Sequence, residues 1–163
     1  MVPFPPSALR DYAVLADGER GVLVGPHGEL AWLCFPGWDD DAVFAGLVGG
    51  RGGYAVTPSA ASFVWGGSYE DGSLVWRSRW ATRDAIVESR EALAMPSSPD
   101  RAVVLRRVEA VSGDAVVRVV IEPVGEFGQA PLRDLHRDDQ GAWTGRCDDI
   151  WLRWTGGHAA RVD

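Results

Sequence analysis

The chain has no lysine: all 16 of its basic residues are arginine, set against 23 acidic ones for a formal charge of −7. An acidic chain with scattered arginine has no basic stripe to follow a phosphate backbone, which argues against a nucleic-acid partner. Cysteine is scarce as well. Cys34 and Cys147 are the only two, too few for a disulfide framework and too far apart for a paired zinc motif. Cys34 lies in an apolar run, where buried packing is favoured over a reactive thiolate. No apolar run reaches the ~20 residues of a membrane span. The start, Met1-Val2-Pro3-Phe4-Pro5-Pro6, lacks the basic and apolar regions of a signal peptide. No membrane partner and a cytoplasmic location are the expectations. His27, His136 and His158 fall in no H-x-x-H or H-E-x-x-H spacing, so no metal and no cofactor are expected. His27, in a turn, reads as a solvent-facing loop residue. Gly49-Gly50-Arg51-Gly52-Gly53 lacks the Gly-Lys-Ser/Thr of a phosphate loop and reads as a flexible hairpin loop. Ser98 and Ser112 lack the context of a nucleophile elbow.

What is present is one domain's worth of chain, 163 residues, long enough to bury about 70% of the surface its unfolded form exposes. The stretch 21–50 is its most organised part. Val22, Leu23 and Val24 meet the turn formers Gly25-Pro26-His27-Gly28, and Leu30-Ala31-Trp32-Leu33-Cys34-Phe35 follows. That is a β-hairpin. Pro36-Gly37 ends the second strand. Asp39, Asp40 and Asp41 then suit the orphan N–H groups of a helix start, predicting one short helix near residues 41–48 closed by Gly49-Gly50.

Upstream, three prolines hold the first residues out of helix, and 11–16 reads as a strand turned at Asp17-Gly18. Downstream the chain is a succession of short strands. These run over 54–57, 62–65 (ended by Gly66-Gly67), 73–82, 85–93, 102–111 and 115–124, with a Met95-Pro96 loop between the fourth and fifth. Leu74, Trp76 and Trp80 share one face by alternation, and Val117, Val119 and Ile121 share another. Strands and turns at this interval predict an all-β, antiparallel, twisted β-sandwich with that one helix.

The order of these motifs resembles the N-terminal domain of bacterial glucoamylase-like and trehalase-like enzymes of glycoside hydrolase family 15. Trp32, Leu33, Cys34, Pro36, Asp39, Phe44, Ala45 and Leu47 match the opening segment, while Ala31 and Gly37 replace a charged Asp and Arg of the motif. The likeness continues through Tyr69, Leu74, Met95-Pro96, Leu105-Arg106-Arg107-Val108, Ile121-Glu122-Pro123 and, weakly, Phe127-Gly128-Gln129-Ala130. It implies a supersandwich-like body that precedes a catalytic (α/α)₆ barrel. The barrel would carry both carboxyl groups that hydrolyse an α-glucoside or trehalose with inversion. Residues 1–163 are then expected to be a single sandwich domain without activity of its own, a fragment preceding an absent barrel.

Within the chain, Asp39, Asp40, Asp41, Glu88, Glu91, Asp138, Asp139, Asp148 and Asp149 read as solvated turns or helix caps rather than as a catalytic pair. Trp32, Phe35, Pro36, Trp38, Asp39 and Phe44 form a proline-bounded aromatic segment and are the candidates for domain docking or the rim of a sugar site. The alternative is a free-standing carbohydrate-binding module that stacks tryptophans on sugar rings. For it Trp76, Trp80, Trp151 and Trp154 are candidates, although core packing is the favoured reading of Trp76 and Trp80. Exposed edge strands also predict a dimer.

Overall fold

The computed structural model describes residues 4–162. Its architecture follows from the alternation and the turns: antiparallel sheets throughout, with only single-turn 3-10 helices among the described residues. In chain order the strands are β1 (Ala13–Ala16), β2 (Gly21–Val24), β3 (Glu29–Cys34), β4 (Ala42–Phe44), β5 (Gly53–Pro58), β6 (Val64–Tyr69), β7 (Trp76–Ala81) and β8 (Ile86–Leu93). They continue with β9 (Val104–Ser112), β10 (Val117–Glu122), β11 (Val124–Gly125), β12 (Ala130–Pro131), β13 (Arg133–Arg137), β14 (Trp143–Cys147) and β15 (Ile150–Trp154).

One sheet runs β1-β2-β3-β5-β10, with β4 also on β3, and a second runs β6-β7-β8-β9. The two face each other. Leu15, Val22, Val24, Leu30, Leu33 and Phe44 from the first meet Trp76 and Leu93 from the second in one apolar core. A smaller sheet β13-β14-β15 and the pair β11-β12 complete the molecule. Ile150 of β15 packs on the core, and the Trp154 ring meets Tyr54 edge-on at 6.3 Å.

The apolar run of β3 has no alternation because it carries a bulge. Leu23 pairs Trp32 but Val24 pairs Leu30, so Ala31 is the extra residue. Leu30 and Leu33 therefore both enter the sandwich core. Trp32 and Cys34 join Ala42 and Ala45 in a second cluster, where the Phe127 ring lies 6.2 Å from Trp32.

Three local expectations are corrected. The helix near 41–48 is instead strand β4 followed by one 3-10 turn, Gly46–Val48. Val43 and Phe44 gain more from core burial beside β3 than a two-turn helix would return, since short helices are marginal. Gly66-Gly67 does not end a strand but lies inside β6, where the indole of Trp76 occupies the space a Cβ on Gly67 would need. Asp11 belongs to a 3-10 turn, Leu9–Asp11, and the first strand starts at Ala13.

The two long sides of the sandwich differ. On one, the Tyr69 hydroxyl accepts from Val14 N–H (2.8 Å) and donates to Val14 O (3.0 Å), tying β6 to β1. On the other, β9 and β10 are the last strands of their sheets.

Candidate functional site

The aromatic segment lies at the end of the sandwich where the 17–20 turn, the 35–41 loop and the 94–103 loop converge. Asp17 organises the first by accepting from the N–H groups of Glu19 (2.9 Å) and Arg20 (3.0 Å). The Arg20 side chain is fully buried. Its Nη2 donates to Ser98 O at 2.6 Å, its Nε stands 3.9 Å from Asp17 Oδ2, and its guanidinium lies over the Phe35 ring at 5.4 Å. One cation thus joins all three loops. The 35–41 loop closes through Phe35 N–H to Asp41 O (3.2 Å), and it contains a cis Phe35-Pro36 peptide bond. Asp40 Oδ2 accepts from Gly37 N–H at 2.7 Å, so this carboxylate caps a loop and not a helix.

The six candidates do not share one surface. Phe44 is buried in the core and Phe35 packs half-buried against it. Trp32 belongs to the second cluster. Pro36, Trp38 and Asp39 are exposed on the loop. Trp38 is held all the same: its ring fills the space above Gly21, where a Cβ would collide with Cη2. The ring is fixed from below and 55% exposed above, and Met95 of the neighbouring loop is exposed too.

A buried polar network that the sequence pattern did not single out crosses the sandwich interior. Glu91 on β8 and Arg106 on β9 form a solvent-free ion pair at 2.9 Å, and Ser89 Oγ donates to Glu91 Oε1 at 2.8 Å. Arg106 Nη2 donates to Gly28 O (2.8 Å), and its guanidinium covers the Tyr54 ring at 4.5 Å. Glu88 is also buried, with Arg90 Nη2 at 2.8 Å. Glu88 and Glu91 are therefore structural ion-pair members, not the solvated turn residues expected: Glu91 faces the other sheet beside Arg106, while Glu88, an odd step away on the outer face of β8, is covered by Arg90. Parity was the available signal: Arg106 alternates with Val104 and Val108, and Glu91 with Ser89 and Leu93.

Glu29 folds back over the turn before it, where its Oε2 accepts from His27 N–H at 2.9 Å. Burial pushes its carboxyl up to about 7, against the opposing pull of the Glu29 and His27 N–H groups and of Arg106. It borders a largely apolar cleft of about 320 Å³ between the N-terminal arm (Phe4, Tyr12) and the glycines of the 46–53 segment. His27 is half-buried, not solvent-facing. It stacks on Phe4 at 5.1 Å and meets Phe63 edge-on at 5.9 Å, and burial lowers its pKa. Burial also raises the Cys34 and Cys147 thiols, which makes both poor nucleophiles. Among the described residues no group of three or more His, Cys, Asp or Glu is arranged to hold a metal ion.

The tryptophans divide in the same way. Trp80 and Trp76 are core residues, with Nε1 donating to Pro26 O (2.8 Å) and Ser78 Oγ (2.9 Å) respectively. Trp151 is 71% exposed, while Trp154, three positions on, sits half-buried against Tyr54. An odd spacing on a strand places them on opposite faces, so they make no shared platform.

Comparison with known proteins adds a family. The model described as "Trehalase-like, N-terminal" matches residues 6–159. A protein named trehalase from Mycobacterium tuberculosis (strain ATCC 25618 / H37Rv) is 30% identical over 143 residues, covering 77% of this chain and 21% of that protein. The chain thus spans about a fifth of the length of the curated relative it matches. No solved structure matches. No helix of the described residues is long and apolar enough to cross a membrane.

Proposed function

This chain belongs to the trehalase-like N-terminal domain family, and on that footing we propose that it is the non-catalytic sandwich of a family 15 glycoside hydrolase. Residues 1–163 act as a single domain that supports a catalytic (α/α)₆ barrel in the same polypeptide, in the cytoplasm. The barrel hydrolyses the α-glucosidic bond of an α-glucoside or of trehalose, using one carboxylic acid on the leaving oxygen and one carboxylate on water, ~6.5–9.5 Å apart. The present chain contributes no catalytic group and has no activity alone.

The docking surface is the loop end that carries Pro36, Trp38 and Asp39, supported from inside by Trp32, Phe35 and Phe44. The observation that carries this reading is Trp38, a large apolar ring held over Gly21 yet open to solvent. Ordering an exposed indole is favourable where a partner covers it, and aromatic anchors dominate such contacts. In the polypeptide that joins this domain to its barrel, Trp38→Ala should lower the hydrolysis rate, and should lower the melting temperature by more than it does in the isolated domain, which loses only the packing of the ring over Gly21. Equal melting and activity in the joined protein would end the docking proposal. A second copy of the chain is the other partner we propose, through an exposed sheet edge.

A further inference from the structure

We propose that β9 is the self-pairing edge. Two copies join antiparallel about a two-fold axis through Val108, with Arg107 of each copy opposite Glu109 of the other. This rests on the reading that a sheet edge takes a second copy, and it assigns the strand and the register.

The backbone comes first. Ala94 N–H donates to Val103 O at 2.9 Å, continuing the register in which Leu93 pairs Val104 and Arg90 pairs Arg107. In an antiparallel ladder alternate residues exchange bonds with one neighbour. Residues 103, 105, 107 and 109 therefore bond β8, and the N–H and C=O groups of Val104, Arg106, Val108 and Ala110 point away from it. No strand of the described residues pairs that side. Sheet edges are usually blunted by proline, lysine or a bulge. β9 has neither residue, and its one irregularity lies at its far end, near Val111.

The side chains supply the occupant. Leu105 (52%), Val108 (36%) and Val111 (46%) are exposed apolar residues on this one strand. Read about Val108, the run Leu105-Arg106-Arg107-Val108-Glu109-Ala110-Val111 is complementary to its own reverse. Leu105 opposes Val111, Arg106 opposes Ala110, and Arg107 opposes Glu109. The Arg107–Glu109 pairs fall at non-hydrogen-bonded positions of the new ladder, where facing side chains are closest, and the bulge at Val111 ends the regular pairing. Glu109 keeps Arg90 Nη1 on Oε1 (2.8 Å), while its Oε2, now 2.8 Å from Arg107 of its own strand, can pass to Arg107 of the other copy. Moving the axis one residue either way sets Arg107 against Arg107 or Glu109 against Glu109, and like charges directly opposed are unfavourable. The charges thus select one register.

Sedimentation velocity of the 163-residue chain over a concentration series tests this, with circular dichroism and melting curves as controls for folding. The wild type should dimerise. Arg107→Glu and Glu109→Arg should each weaken the dimer at least ~10-fold, since each turns two attractive pairs into repulsive ones. An equimolar mixture of the two variants should associate again, because every facing pair is then of opposite sign. Val108→Pro, which removes only an outward N–H, should give a folded monomer. A dimer indifferent to Arg107→Glu and Val108→Pro would overturn the β9 pairing while leaving self-association through another surface. A chain that stays monomeric at every concentration would overturn both readings. A monomer whose Arg106, Val108 and Ala110 amides resist hydrogen exchange would place another segment of the chain on the edge, and would overturn the pairing as well.

Discussion

Burial changes the chemistry of Glu29. Its carboxyl ionises near 7 in the folded protein and near 4.5 when unfolded. Between those values the folded chain holds a proton that the unfolded chain has released, so stability falls as pH rises from 4.5 to 7 and is level above. The whole step is about 3 kcal/mol by the linkage relation. His27 works in the opposite sense. With its pKa lowered by burial, the unfolded chain binds the proton first, and stability is lost as pH falls below 6.5. Glu29→Gln keeps an acceptor for His27 N–H and removes only the titration. Urea unfolding of the two proteins from about pH 4 to 8 should therefore find the variant gaining on the wild type as pH rises through 4.5–7. A constant difference across that range would mean that Glu29 is already ionised in the fold. Arg20, Glu91 and Arg106 belong to the same scale. A buried ion pair adds little net stability but is costly to break, because one partner left alone is an uncompensated charge.

At the scale of the element, the β2–β3 turn joins the two sheets. Gly28 has φ +70, and a Cβ there would collide with Val56 O, a backbone atom held by the β3–β5 pairing, with the Trp80 ring next nearest at 3.0 Å. Its carbonyl accepts from both Val56 N–H (3.2 Å) and Arg106. Gly28→Ala therefore adds left-handed strain to overpacking and should cost about 2–4 kcal/mol. Chemical denaturation reads this directly. Gly18, also at positive φ but with nothing within 4 Å, is the control, since Gly18→Ala meets strain alone. The hairpin itself was legible from Gly25-Pro26-His27-Gly28 and the flanking aliphatic runs. The β3 bulge was not, because a continuous apolar run carries no phase from which an extra residue could be noticed. The expected helix failed for a related reason: Ala42, Val43 and Phe44 are too few to distinguish one helical turn from a strand, and burial beside β3 decided between them.

For the whole molecule, the alternative of a free-standing sugar binder meets the burial of Trp76 and Trp80 and the opposed faces of Trp151 and Trp154. Calorimetric titration of the chain with trehalose and with maltooligosaccharides should give no heat at millimolar sugar, and neither sugar should be hydrolysed. Measurable binding with a change in tryptophan fluorescence would favour the module, and release of glucose would contradict a supporting role. What the sequence determined by itself was the all-β class, most of the strands, the core role of Trp76 and Trp80, and the family likeness. All of these rest on alternation, turn chemistry and motif order, which act between residues close along the chain. Tertiary structure alone decided that Glu29, Glu91, Arg20 and Arg106 are buried, that Trp38 stands over Gly21, and that the candidate aromatic residues are divided between core and surface. Strand pairing brings Arg106 to Glu91, and the 35–41 loop folds Trp38 back over Gly21, but Arg20 reaches Ser98 O and Arg106 reaches Gly28 O only because one sheet packs against the other.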